Sequence, residues 1–577
     1  MTFVQVGRGA TLPAALAVVL CAGCEPGPAD LVLRHGKVVT VDSTNPVAEA
    51  VAVTQDRIVA VGSDEEIAGY IDSNTEVIDL GGKLAIPGFI EGHGHYMSLG
   101  RAQMELDLTA ASSWDEIVTM VARAAAASAP GEWILGRGWH QEKWDTTLHP
   151  SVEGLPLHDE LSRVSPDNPV YLTHASGHAS FANAKAMELA GIAAHTPNPP
   201  GGQIVHDEQG NPTGALRERA QDLVSGLIAE ADASRTPEER ERYNQEVVRL
   251  AGLEALSNGV TSFHDAGASF ETIEMFRQLA DEGSLPVRLY VMVRYQTNEE
   301  LEERLPDYRM VNYGNGFLTV RSIKRQIDGA LGAHGAWLLE PYEDLPSSYG
   351  LVLEPVEDIA RTAEIAIEHG FQLDTHAIGD RANREVLDLY KAIFEANPDK
   401  TDLRWRIEHA QHLHPKDVSR FAELQIVAAM QGVHCTSDAP WVFKRLGAQR
   451  AAEGAYVWQD LIRSGAVITN GTDTPVEDID PVAGFYASVS RRMSDGEVFF
   501  PDQRMSRQEA LESYTINNAY AAFEEDIKGS LTPGKLADIV VLSHDIMTMP
   551  EDEISRTTVV YTIVGGRVAY SSPPAGN

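Results

Sequence analysis

Leu84-Ala85-Ile86-Pro87-Gly88-Phe89-Ile90-Glu91-Gly92-His93-Gly94-His95 is the stretch on which the fold turns. An apolar run, Leu84 to Gly92, is closed by two histidines spaced two apart. If the run is a buried strand, side chains two apart point the same way. His93 and His95 then leave the strand end on one face, close enough to hold one metal ion. Imidazole is a common ligand for zinc and similar divalent metals. Taken alone, the pair reads equally as two histidines at a loop edge, because His-x-His recurs by chance.

Outward from that stretch the same arrangement recurs. Lys324 follows Phe317 to Ile323, His376 follows Phe371 to Thr375, His409 follows Arg404 to Glu408, and Asp473 follows Ala466 to Thr472. Each run is short and rich in apolar or β-branched residues, and each meets a polar residue at its end. Helical spacing of apolar residues fills the intervals, at Ile359 to His369 and Asn383 to Ala396. Strand and helix alternating over hundreds of residues predict parallel strands with crossover helices. In a (β/α)8 barrel the C-terminal strand ends converge on one mouth, so residues far apart in sequence meet there. Each residue has an ordinary alternative: a core histidine, a solvated lysine, or a turn-forming aspartate before Thr-Pro.

The segments PGFIEGHGH (87–95), SIKRQIDGALGAHGA (322–336), DTHAIGDRAN (374–383), RIEHAQ (406–411) and ITNGTDTPVEDIDP (468–481) resemble the amidohydrolase superfamily. Within it the chain resembles amidohydrolase family 3, the group with N-substituted formamide deformylase-like enzymes. HASGHASFANAKAM (174–187) and GSLTPGKLADIVVLS (529–543) extend the resemblance to nearly the whole chain. It implies an α/β fold: a (β/α)8 TIM-like barrel, a small β-sandwich domain built from both chain ends, and an inserted subdomain over the barrel mouth. The corresponding spans are 25–82 and 529–577 for the β domain and 83–528 for the barrel, with the insertion at about 100–250.

The resemblance also implies two divalent metal ions, with zinc the expected metal, although mixed nitrogen and oxygen ligands suit manganese, iron and cobalt too. His93 and His95 match ligands of the more buried ion, and His376 and His409 those of the second. Lys324 matches a lysine carboxylated to a bridging carbamate; the bare ammonium has no lone pair to give. Asp473 matches the carboxylate that touches metal and takes the proton of the attacking water. Trp139, His140, His174 and His178 are candidate pocket residues, and Asp328 is expected to contact substrate or hold Lys324. His409 or His174 is a candidate to stabilise an oxyanion. Two departures stand out: Glu91 replaces the usual Asp, and Ala333-His334-Gly335 replaces a Ser-Arg-Thr-like sequence near the mouth.

Composition limits the alternatives. A chain of 577 residues with 43% hydrophobic content can bury a barrel and an accessory domain. Its 46 basic and 84 acidic residues leave a formal charge of −38, which argues against nucleic acid or an anionic membrane surface as partner. Arg8, the apolar run Leu12 to Leu20 and Ala22-Gly23-Cys24 read as an export leader, too short to span a bilayer. Its end resembles a lipoprotein signal, with lipid on Cys24 anchoring an exported protein; the alternative is a cytoplasmic chain. Cys435 would then be the one remaining cysteine besides the lipidated Cys24, which rules out an intrachain disulfide.

The expected function is metal-dependent hydrolysis of a non-peptide C–N bond in a small amide, formamide or cyclic amide. The alternatives are an ester hydrolase or decarboxylase on the same centre, or a catalytically silent binding lipoprotein.

Overall fold

The computed structural model describes residues 27–141, 144 and 150–573. The expected leader and Cys24 lie outside them. At the centre are eight strands: β1 (Phe89–Gly94), β2 (Val260–Ala268), β3 (Arg288–Val293), β4 (Leu318–Gln326), β5 (Gln372–Ala377), β6 (Arg406–His409), β7 (Val427–Gln431) and β8 (Ile468–Gly471). Each pairs in parallel with the next, giving a nearly closed eight-stranded barrel sheet. The register sets Lys324 beside Asp374 and His376 beside Glu408.

The seam between β1 and β8 has no strand ladder. Asn518 closes it, donating through Nδ2 to Ile90 O on β1 (2.8 Å) and Asn470 O on β8 (2.9 Å). Glu91 braces the same seam by accepting from Thr472 N at 2.6 Å and Thr472 Oγ1 at 2.9 Å. The longer carboxyl arm at this departure from the family pattern therefore spans strands. Gly92 is required here, since a Cβ would sit 2.4 Å from Asn470 O.

The apolar run that opened the reading is two strands. Leu84–Pro87 belongs to a different sheet and β1 starts at Phe89. The chain turns between them at Gly88, where a Cβ would lie 2.2 Å from Thr261 Oγ1. A six-stranded sheet orders Arg567–Ser571, Val559–Val564, Ile539–Leu542, Leu84–Pro87, Lys37–Val39 and Val47–Ala48, so the two chain ends pair directly. A four-stranded sheet holds Arg57–Gly62, Ala50–Thr54, Leu31–Arg34 and Glu76–Asp79. Leu33, Val51 and Val53 of the smaller sheet share one apolar cluster with Ala85, Ile539 and Val541 of the larger. Arg288 on β3 fastens this region to the barrel by a bidentate pair with Asp538, at 2.8 and 3.1 Å, both residues buried.

The crossover helices follow local chemistry. Val356–His369 buries Ile359, Ala363 and Ile367 on one face and stops at Gly370, whose φ of 69° suits glycine. It begins three residues before the apolar periodicity, because Glu357 and Asp358 fill an acidic first turn. Asp380–Ala396 likewise starts three residues before Asn383. Between β1 and β2 lies a third sheet, with strands Gly202–His206, Pro212–Glu218, Ala179–Ala182, Val170–His174, Ile134–Trp139 and Leu106–Asp107 in that order. No helix among the described residues is long and apolar enough to cross a membrane.

Candidate metal centre

His93, His95, Lys324, His376, His409 and Asp473 all line one cavity of about 870 Å³ at the C-terminal ends of the barrel strands. Asp473 Oδ1 stands 3.2 Å from His95 Nε2 and 3.5 Å from His93 Nε2. Lys324 Nζ is 3.4 Å from His93 Nε2. The His409 ring lies between the other two, 4.7 Å from His93 and 4.5 Å from His376 by ring centroids.

Strand alternation explains part of this convergence. Lys324 follows Ser322, and His376 follows Asp374, on the inward face of β4 and β5. His409 breaks the rule, because Arg406 and Glu408 already occupy the inward parity of β6. A left-handed backbone at His409, φ 75°, turns its ring back into the cavity, and Asp473 is turned likewise at φ 57°. Non-glycine residues adopt that region at a cost, and such residues gather at functional sites.

The donors suit divalent cations. Ligand atoms of His93, His95 and Asp473 all lie within 4.8 Å of one another. His93 Nδ1 is held by Glu408, and His409 Nδ1 meets Gln431 Oε1 at 2.8 Å, which leaves Nε2 of each ring for coordination. His376 Nε2 is buried with no hydrogen-bond partner among the described residues. A buried polar atom of this kind is costly unless something outside the chain meets it.

The electrostatics point the same way. Burial, with Lys324 close by, lowers the His93 pKa to about 4. Burial also pushes His376 and His409 well below the usual histidine range. All three are neutral at pH 7, with a lone pair to share. Burial opposes the Asp473 charge, but the His95 hydrogen bond and the neighbouring His93 and His409 hold it well below the usual carboxylate range. Burial brings Lys324 down to about 8, against the pull of Glu408. Glu408 itself stays ionised, since Arg406 and His93 outweigh its burial.

The pocket residues divide. His178 lines the cavity, its Nδ1 held 2.9 Å from Glu218 Oε2. Burial works against its charge, but Glu218 raises its pKa above the ordinary value. His174 lines a neighbouring cavity, and its ring nitrogens meet Ser176 Oγ at 2.8 Å and Gln141 Oε1 at 3.1 Å, so it is engaged elsewhere than at an oxyanion. His140 stacks on Trp441 beside it. Trp139 corrects the expectation of a substrate contact. It is fully buried, gives its indole N–H to Leu172 O at 3.0 Å, packs on Phe181 and lines neither cavity. Asp328 corrects a second one. Its carboxylate accepts from the backbone N–H of Trp337, Ile378 and Gly379 at 2.8 to 3.0 Å, and it faces His376 Nε2 at 3.5 Å. It therefore fixes the loop after β5 and lines neither cavity.

Sequence reading missed Arg406, Glu408, Gln431 and Glu218. Arg406 and Glu408 share the β6 parity just beneath the ligands, which was the available signal.

Comparisons with known proteins identify the family. Residues 76–570 match the model of the Amidohydrolase family. The chain is 34% identical to Protein LONG AFTER FAR-RED 3 of Arabidopsis thaliana, over 94% of this chain and 92% of that one. It is 28% identical to N-substituted formamide deformylase of Arthrobacter pascens, over 94% of this chain and 98% of that one. An uncharacterized metal-dependent hydrolase from Pyrococcus horikoshii has a similar structure, with TM-score 0.71 and 27% identity over 90% of this chain and 99% of that one. This chain belongs to the Amidohydrolase family.

Proposed function

We propose that the cavity is the active site of a metal-dependent hydrolase that cleaves a non-peptide C–N bond in a small amide, formamide or cyclic amide. Family membership and the hydrolase relatives support a metal-dependent hydrolase acting on a small molecule. The observation that carries the reading is the convergence of six side chains on one cavity, five of them buried, with His376 Nε2 unpartnered among the described residues.

In this reading His93, His95, His376, His409 and Asp473 would hold two divalent ions, and Lys324, once carboxylated, would add an anionic oxygen ligand to them. Bound divalent ions supply a nucleophilic water near neutral pH and polarise a substrate carbonyl. The lowered pKa of Lys324 leaves part of it as free amine, the form that combines with carbon dioxide and releases a proton. Asp473 takes a proton from the attacking water and delivers it to the leaving nitrogen as the C–N bond breaks. That delivery lets the amine leave neutral. His178, kept proton-rich by Glu218, is placed to donate to the carbonyl oxygen. The two sheets built from the chain ends form the accessory β-sandwich, and the third sheet is the subdomain at the mouth.

Zinc-loaded protein assayed against formamides, N-acyl amines, cyclic ureas and matched esters tests the assignment. Turnover of at least one C–N substrate, above its ester counterpart, is expected; hydrolysis of esters alone contradicts it.

A further inference from the structure

A second cavity, of about 400 Å³, opens off the first. The two share Ser176, His178, His409, Asp473 and Val476, so they meet over the centre described above. Their walls differ in chemistry. Arg137, Arg219, Arg294 and Arg325 line the first. Leu155, Ala179, Leu331, Ala333, Ile378 and Trp441 wall the second.

Charged groups around the second cavity are largely spent on one another. Arg217 meets Glu153 at 2.5 Å, Arg445 pairs with Asp344 and donates to Gly332 O at 2.9 Å, and Glu477 accepts from Ser437 Oγ at 2.5 Å. Asp438 accepts from the Tyr456 hydroxyl at 2.6 Å. Away from the metal centre, one buried polar atom of this lining is left over among the described residues. His434 lines the cavity, is only 6% exposed, and has no partner for Nε2 among the described residues. Its Nδ1 accepts from Gln411 Nε2 at 3.2 Å, so in that tautomer the proton sits on Nε2. A buried N–H in an apolar pocket calls for an acceptor on whatever fills it.

We propose that the second cavity binds an uncharged apolar substituent, an aryl ring or branched alkyl group, that carries a hydrogen-bond acceptor for His434 Nε2. That this group belongs to the substrate rests on the hydrolase reading; that the cavity binds it does not. Ala333 and Leu345 both line this cavity, and Ala333 begins the segment that departs from the family pattern.

Calorimetric titration of the zinc-loaded protein with benzamide, acetamide and benzylammonium tests this. Benzamide is expected to bind about tenfold or more tighter than benzylammonium. That preference would run against the general attraction of a −38 protein for cations. His434→Phe should weaken benzamide about fivefold, the loss of one hydrogen bond. Ala333→Trp, or Leu345→Trp at a more exposed position on the same wall, should weaken benzamide about tenfold or more and leave acetamide little changed. Equal binding of benzylammonium and benzamide overturns the proposal, as does unchanged benzamide affinity in both tryptophan variants. Benzamide binding that is lost in those variants, in a protein that turns over no amide, would sink the hydrolase reading and leave the binding site standing.

Discussion

Glu408→Gln is the sharpest single perturbation of the centre. Glu408 is fully buried and meets three groups: His93 Nδ1, Arg406 Nε at 2.6 Å and Arg406 Nη2 at 3.1 Å. Coulomb's law at an effective dielectric of about 20 gives roughly 6 kcal/mol of attraction at the shorter distance, part of it offset by desolvating both charges. Removing one member of such a pair costs about 3–5 kcal/mol, because the other charge stays buried. Glutamine keeps the shape and one acceptor, so the lower end, about 3 kcal/mol, applies. A cooperative unit of about 500 residues has an unfolding entropy near 1 kcal/mol/K, which converts this to a melting-point drop of about 3 °C. His93 also loses the acceptor that fixes its ring, which should weaken metal binding about 10- to 100-fold. Calorimetry of the metal-free protein and a chelator competition titration measure the two effects separately. A melting point within about 1 °C of wild type, together with unchanged metal affinity, would refute the reasoning.

Three further outcomes are expected. Asp473→Asn should keep the fold and much of the metal but lower kcat by about a thousandfold or more, read in a steady-state assay of any accepted substrate. Lys324→Ala should lose metal by elemental analysis and regain part of it when formate or propionate supplies a replacement carboxylate. His412 is fully buried, neither ring nitrogen has a partner among the described residues, and burial lowers its pKa to about 3. Its folded pKa lies below its unfolded value of 6.5, so the unfolded chain binds more protons between those limits and stability falls as pH drops from 6.5 towards 3. Going from pH 7 to pH 5 should cost about 2 kcal/mol through this group. His412→Phe should remove that share of the slope in urea titrations at the two pH values; an unaltered slope would show that the ring is not buried uncharged.

Much of the architecture was legible because parallel strands with crossover helices impose two periods on the sequence. The six candidate ligands were legible because each stands at the end of a short strand-like run, inside a segment that resembles the family. Their geometry was only half readable. Lys324 and His376 obey strand parity, whereas His409 and Asp473 reach the cavity through left-handed backbones that residue type does not announce. The unbroken apolar run from Leu84 hid a change of sheet at Gly88, since a buried strand of either sheet has the same composition. Residue type left the placement of Trp139 open, since aromaticity does not say which face of an element a side chain occupies, and Asp328 was singled out through the family resemblance alone. Glu408 was overlooked because it lies one layer beneath the strand ends, where a charge survives through Arg406 and His93.

Anomalous diffraction from crystals grown with zinc tests the central claim most directly. The account predicts two peaks per chain, each within about 2.0–2.2 Å of its ligand atoms: one at His93 and His95, the other at His376 and His409. Peaks confined to surface carboxylates, with the six residues left as they stand, would contradict it.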